Sequence, residues 1–119
     1  SHAKNREQFG QKIGKFQNIS HLIVEMSEEI ESAALLAYKA VWLIDQGKMD
    51  LATCLQAKVK CPLTAIDVCL KSMQILAGYG LFDEQFLPGY LGDALATWLL
   101  EGTGQIQRNT VAGQILGRL

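Results

Sequence analysis

The run Asn18 to Gln46, NISHLIVEMSEEIESAALLAYKAVWLIDQ, sets the architecture. Its apolar residues fall at Ile19, Leu22, Ile23, Met26, Ile30, Ala33, Ala34, Ala37, Tyr38, Val41 and Trp42. The steps are mostly threes and fours, the spacing at which an α-helix returns a side chain to the same face, so these residues are read as one stripe. Glu25, Glu28, Glu29 and Glu31 lie mostly off it. Gly47 then ends the run as a C-cap glycine does.

A second stripe follows on the same period: Leu51, Leu55, Val59, Ala65, Ile66, Cys69, Met73 and Leu76. Pro62 falls inside it and removes one backbone donor, which predicts a kink or a break into two collinear pieces. Gly78 and Gly80 are expected to close this helix. Leu81 to Tyr90, with Pro88 and Gly89, reads as a loop holding one turn at most. Leu91 to Leu100 is long enough for about three turns of helix. Glu101-Gly102-Thr103-Gly104 interrupts it, and Gln105 to Leu116 reads as a final helix with Thr103 at its N-cap. Ser1 to Gly10 is polar with mixed charge. No segment alternates with period two over a strand's length. The reading is all-α: two long and two shorter helices with short connections, packed as an antiparallel four-helix bundle, up-down-up-down.

Bulk properties narrow the function. One hundred and nineteen residues make one domain. A hydrophobic share of 49% and a charged share of 19% suit a packed core rather than a disordered chain. The net charge of −1 provides no basic field for nucleic acid. The longest uncharged run, Ser72 to Phe82, is far short of the roughly 20 apolar residues a membrane span needs. Cys54, Cys61 and Cys69 are an odd number without close pairs, and read as free buried thiols. No metal-ligand spacing occurs. Gly78-Tyr79-Gly80 follows a helix rather than a strand, so it is not a dinucleotide fingerprint. Trp42 and Trp98 are assigned to the core.

Four local patterns remain: Ala3-Lys4-Asn5-Arg6-Glu7-Gln8-Phe9-Gly10 with Ile13 and Phe16-Gln17; Gln74-Ile75-Leu76-Ala77-Gly78-Tyr79-Gly80; Asp93-Ala94 ahead of an apolar run; and Glu101-Gly102-Thr103-Gly104-Gln105-Ile106-Gln107-Arg108. In this order, with two long helices between the first and third, they make nearly the whole chain resemble the C-terminal helical domain of the acyl-CoA dehydrogenases. The resemblance implies that residues 1–119 form that single domain. It implies that the family's N-terminal helical and middle β-domains lie outside this sequence, and that the opening long helix begins upstream of Ser1.

The resemblance also implies FAD as cofactor and α,β-dehydrogenation of an acyl-CoA as activity, with Glu101 as the base that removes the α-proton and Gly102 giving the backbone access to the thioester. Arg6 would grip the FAD pyrophosphate. Gln8, Phe16 and Gln17 would line the adenosine half, and Gln74 and Gly78 form a further FAD contact. Thr103 and Gln105 would meet the flavin. In the family the first two patterns reach the FAD of a neighbouring subunit, so a homo-oligomer, dimer or tetramer, is implied. So are electron-transfer flavoprotein as redox partner and a bacterial or archaeal cytoplasm, or the mitochondrial matrix, as location. On this reading Glu101 faces inward, on the side that carries the Arg6 and Gly78 segments, rather than into open solvent.

Read without the family, the same residues have plainer roles. Glu101 is an acid in a helix–helix turn, favoured by the dipole of the helix that follows. Thr103 is a cap, and Arg6 a solvated surface charge. Two other functional classes stay open: a non-catalytic helical module that drives oligomerisation, and an acyl-CoA oxidase-like flavoenzyme that hands electrons to oxygen. The chain also departs from the family pattern. Ala77 stands where glycine is common and is expected to crowd the FAD contact. Gly92 stands for arginine, Leu100 for tyrosine and Gly104 for serine. These departures mark a divergent member.

Overall fold

In the computed structural model, which describes residues 2–117 except for the side chain of residue 83, five α-helices follow one another in the chain. They are α1 (His2–Asn5), α2 (Gln17–Asp45), α3 (Leu51–Leu76), α4 (Leu87–Leu99) and α5 (Gly104–Leu116). The one sheet among the described residues is a hairpin of two-residue strands, β1 (Glu7–Gln8) against β2 (Gln11–Lys12), in a segment where no strand is expected from the sequence. Its turn is Phe9-Gly10, both at positive φ (51° and 78°), the geometry a two-residue hairpin turn requires.

The long helices begin and end where local chemistry dictates. Gly47 sits at φ 66° just past α2, as expected of its position. Asp50 starts α3: its carboxylate accepts from the Thr53 backbone N–H at 3.0 Å and from the Thr53 hydroxyl at 2.5 Å. Those bonds, the hydroxyl's first, hold the Asp50 carboxyl below its ordinary value. Pro62 does not break α3. It is buried within one continuous helix, where packing on α3 from several sides outweighs the lost backbone bond.

The end of α3 differs from expectation. The residue that turns the chain is Ala77, at φ 53° and ψ −135°, and not Gly78. A 3₁₀ turn then covers Ala77–Leu81. Here Gly80 is buried, and an added Cβ would lie 2.9 Å from the Met73 Cα. The fourth helix starts at Leu87 rather than Leu91. Phe86 enters it at φ 58°, and Pro88 lies in the first turn, where a missing N–H costs nothing.

α3 is the hub, packed by α2, α4 and α5. Glu29 pairs with Lys60, and Glu25 reaches Lys71 at 3.5 Å. The Cys61 thiol lies 3.5 Å from the Ala33 carbonyl, and Ser72 lies 3.5 Å from the Met26 sulfur. Residues 25 and 26 of α2 meet 71 and 72 of α3, whereas 29 and 33 meet 60 and 61, so the two helices are antiparallel. Small residues set this seam: Ala33 and Ala40 on α2 and Ala57 and Cys69 on α3 are buried and allow close approach. Burial pushes the Cys61 and Cys69 thiols upward, which keeps them protonated; all three cysteines are free.

The single stripe read for α2 proves to be two. Ile19, Leu22, Met26, Ala33 and Ala37 face inward, but Tyr38 is 71% and Trp42 58% exposed, with Ile23, Ile30 and Val41 beside them. Ile23, Ile30 and Val41 return to nearly one azimuth at 100° per residue, well away from the alanine seam. Trp42 is thus a surface residue of this chain. No large side chain among the described residues is fully buried. The radius of gyration is 17.8 Å, against about 13.5 Å for a compact domain of this length. With extents of 60 × 30 × 23 Å, the chain is an elongated slab with apolar faces uncovered.

Candidate functional site

The sequence-selected residues assemble into two groups at opposite ends of α3. The first is a cleft of about 870 Å³ between the N-terminal segment, the start of α2 and the end of α3. Arg6, Gln8, Phe16 and Gly78 all line it, together with Phe9, Ala77 and Tyr79. Gln17 and Gln74 are exposed next to it, but their neighbours Asn18 and Ile75 form the wall in their place.

Local bonding fixes this cleft. The Arg6 backbone N–H bonds the His2 carbonyl at 2.8 Å, and the Arg6 carbonyl accepts from Ile13 N–H at 2.9 Å. The guanidinium lies over the Tyr79 ring, 5.7 Å from its centroid, a cation–π contact that aims it without neutralising it. Phe9 meets Phe16 edge-on at 6.2 Å and is otherwise 92% exposed. A phenylalanine held at positive φ with its ring in water is unusual backbone and unusual exposure at one residue. Tyr79 and Phe9, to which the motifs assign no role, stand inside the quoted patterns and line the cleft. Their aromatic character beside an arginine was the signal. At Gly78 an added Cβ would meet nothing within 4 Å, so the surface there is open.

The second group is the α4–α5 junction. Glu101 is exposed, at φ 60°, and Gly102 follows at φ 98°. The latter is a conformation that needs glycine for its backbone and not for space, since an added Cβ would meet only Gln107 Nε2 at 3.9 Å. Thr103 occupies the N-cap position of α5, but its hydroxyl makes no capping hydrogen bond. Capping as its role is thereby corrected. Its carbonyl accepts from Gln107 N–H at 3.1 Å. Gln105 is exposed in the first turn. Gln107, unassigned from the sequence, is buried and donates to the Gly102 carbonyl. The indole N–H of Trp98 is buried without a partner, against Gly104, where a Cβ would come within 3.1 Å. Glycine at 104 is what admits that ring.

These two groups do not meet within one chain. Lys58 donates to the Thr97 carbonyl, which pins the end of α4 near that residue. The cleft lies at Leu76, about 27 Å further along α3 at 1.5 Å per residue. Glu101 therefore does not share a face with Arg6 and Gly78, and it is open to solvent. The expectation of a shared inward face fails for the single chain, because eighteen residues of the continuous helix α3 separate the two groups.

Residues 1–116 match the family described as acyl-CoA dehydrogenase, C-terminal domain. The chain belongs to the acyl-CoA dehydrogenase family. A short-chain-specific acyl-CoA dehydrogenase of Clostridium acetobutylicum is 33% identical over 97% of this chain. The butyryl-CoA dehydrogenase of Megasphaera elsdenii superposes with a TM-score of 0.92 at 34% identity, over 97% of this chain and 30% of that one. An FAD complex of PigA superposes at 0.90, with 31% identity, over 96% of this chain and 30% of its own. The chain thus spans about 30% of the length of the acyl-CoA dehydrogenase relatives it matches. Among the described residues, no helix is long and apolar enough to cross a membrane.

Proposed function

We propose that this chain is the C-terminal helical domain of an FAD-dependent acyl-CoA dehydrogenase, with Glu101 as the base that takes the α-proton of an acyl-CoA thioester. The observation that carries the reading is the α4–α5 junction of a family member. There Glu101 is held at positive φ in a Glu-Gly-Thr turn, before a helix whose first N–H groups are open. A carboxylate suits this task when hydrogen bonds to the thioester oxygen stabilise the developing enolate. On this reading the open N–H groups of α5, with Thr103 and Gln105, meet a polar ring edge. Gly102 leaves the backbone bare for the thioester.

The cleft at the other end suits the nucleotide half of FAD. It offers one guanidinium for a pyrophosphate, exposed aromatic rings for stacking and the Gln8 side-chain amide for polar edges. Bound FAD would supply the acceptor for the β-hydrogen, which leaves as hydride. The separation of about 27 Å between the groups supports sites completed by two chains, one giving Glu101 and the other the Arg6–Gly78 cleft. The uncovered apolar faces of α2 support a homo-oligomer and the cover of a β-domain from the remaining chain. Electron-transfer flavoprotein as the electron acceptor, and the bacterial or archaeal cytoplasm or mitochondrial matrix as the location, follow from the family reading.

Glu101→Gln in the full-length protein tests the assignment. Gln keeps the shape and removes the base. FAD should stay bound, and kcat should fall by several powers of ten; near-normal turnover ends the assignment. A colourless wild-type protein with intact oligomers would favour a non-catalytic oligomerisation module, and peroxide formed during turnover an oxidase.

A further inference from the structure

Gln107 is the one polar side chain of α5 that the described structure buries, at 6% exposure. Burying an amide is costly unless it is hydrogen-bonded, so its partner reveals its use. Nε2 donates to the Gly102 carbonyl at 3.0 Å. The acceptor belongs to the Gly102–Thr103 peptide, the second after Glu101, in a turn whose two residues both sit at positive φ (60° and 98°). Glutamate does not hold that conformation unaided, since it costs on the order of 1 kcal/mol or more. The restraint comes from a side chain rooted one turn into a helix, and the backbone N–H of the same Gln107 bonds Thr103, the next residue of the turn, at 3.1 Å. Trp98 closes the junction against Gly104. The buried amide therefore holds the Gly102–Thr103 peptide plane, on which the turn that carries Glu101 closes.

We propose that Gln107 is a positioning residue for the base: its amide N–H fixes the Gly102 carbonyl and so aims the Glu101 carboxylate. This rests on the reading of Glu101 as the base, and it adds a residue to that site which does not touch the substrate. A misplacement of about 1 Å in a reacting group costs up to about 100-fold in rate, so the loss of this one bond is expected in kcat.

The test uses the full-length holoenzyme and the straight-chain saturated acyl-CoA that wild type turns over fastest. Gln107→Met keeps length and volume without the N–H. It should retain FAD, keep KM within about threefold, and lower kcat roughly 10- to 100-fold. Exchange of the substrate α-proton in D2O, which reads the base alone, should fall by the same factor. Gln107→Glu supplies a donor only when its carboxyl is protonated. Its kcat relative to wild type at the same pH should rise as pH falls, a trend that a merely structural role does not produce. An FAD-loaded Gln107→Met enzyme with kcat and exchange within twofold of wild type overturns the proposal. So does activity lost only in step with FAD. If the Met variant does not fold, the pH trend of the Glu variant decides, and a flat ratio overturns it. Normal turnover in Glu101→Gln removes the base assignment itself; a dead Glu101→Gln beside a normal Gln107→Met removes this inference alone.

Discussion

Ala77 ends α3 at φ 53° and ψ −135°, a region natural to glycine and strained for any residue with a Cβ. It is exposed, so its methyl contributes little packing that glycine would forfeit. Holding an L-residue there costs about 1–3 kcal/mol. Glycine gives back about 0.4–1 kcal/mol through the greater freedom of its unfolded chain. Ala77→Gly should therefore stabilise by about 1 kcal/mol. With about 2.1 cal/mol/K of unfolding entropy per residue over 119 residues, that is a rise of about 4 °C in Tm. Thermal melts of the two chains at matched concentration, with urea midpoints as a second reading, measure it. Ala65→Gly is the control: Ala65 is exposed within α3, and the same change there should cost about 1 kcal/mol. Opposite signs at 77 and 65 are the signature of backbone strain. A Tm for Ala77→Gly equal to or below that of the parent would refute the reasoning and mean that the chain does not turn at Ala77 in this way.

Other substitutions follow from the same geometry. Gly80→Ala sets a Cβ 2.9 Å from the Met73 Cα, which is backbone and cannot swing aside, so it should destabilise by about 1–3 kcal/mol in urea unfolding. Gly104→Ala presses on the Trp98 indole, and the loss should shrink in a Trp98→Gln background; a double-mutant cycle should return coupling of at least about 0.5 kcal/mol. Asp50→Ala removes the cap of α3 and should lower Tm at neutral pH. Because the folded pKa of Asp50 lies below its ordinary 3.8, its contribution is present above that value and is lost as pH falls through the folded pKa. The gap between parent and variant should close in acid, and a gap that persists there counts against the cap.

Much of the fold is legible in short-range pattern. The extents of α2 and α3 follow from apolar spacing to within a residue or so, and Gly47 marks its helix end. The cap at Asp50 was legible as well, an acid three residues before Thr53 at the head of an apolar run, but went unread. The start of α4 was misplaced because Pro88 and Gly89 look like a loop, whereas proline in a first turn is favourable once Phe86 takes a left-handed entry. The hairpin at residues 7–12 escaped because two-residue strands are too short to show alternation. The candidate site residues rest on motif resemblance, and the structure brings Arg6, Gln8, Phe16 and Gly78 to one cleft. Gln107 stood in plain view within the fourth motif, but nothing in a linear string distinguishes a buried amide from a solvated one.

By itself the sequence determined the two long helices and the chemistry available at each motif, because these depend on neighbours three or four positions apart. It could not say which apolar face of α2 would be covered. Steps of three and four serve the Ala33–Ala40 seam and the Ile23–Val41 face almost equally, and the choice fell to the face whose small side chains let α3 approach. Nor could it say that Glu101 and Arg6 lie toward opposite ends of α3. That distance is about two thirds of the length of α3, a continuous helix held by hydrogen bonds along its axis, and it is felt only once α4 has folded back along it.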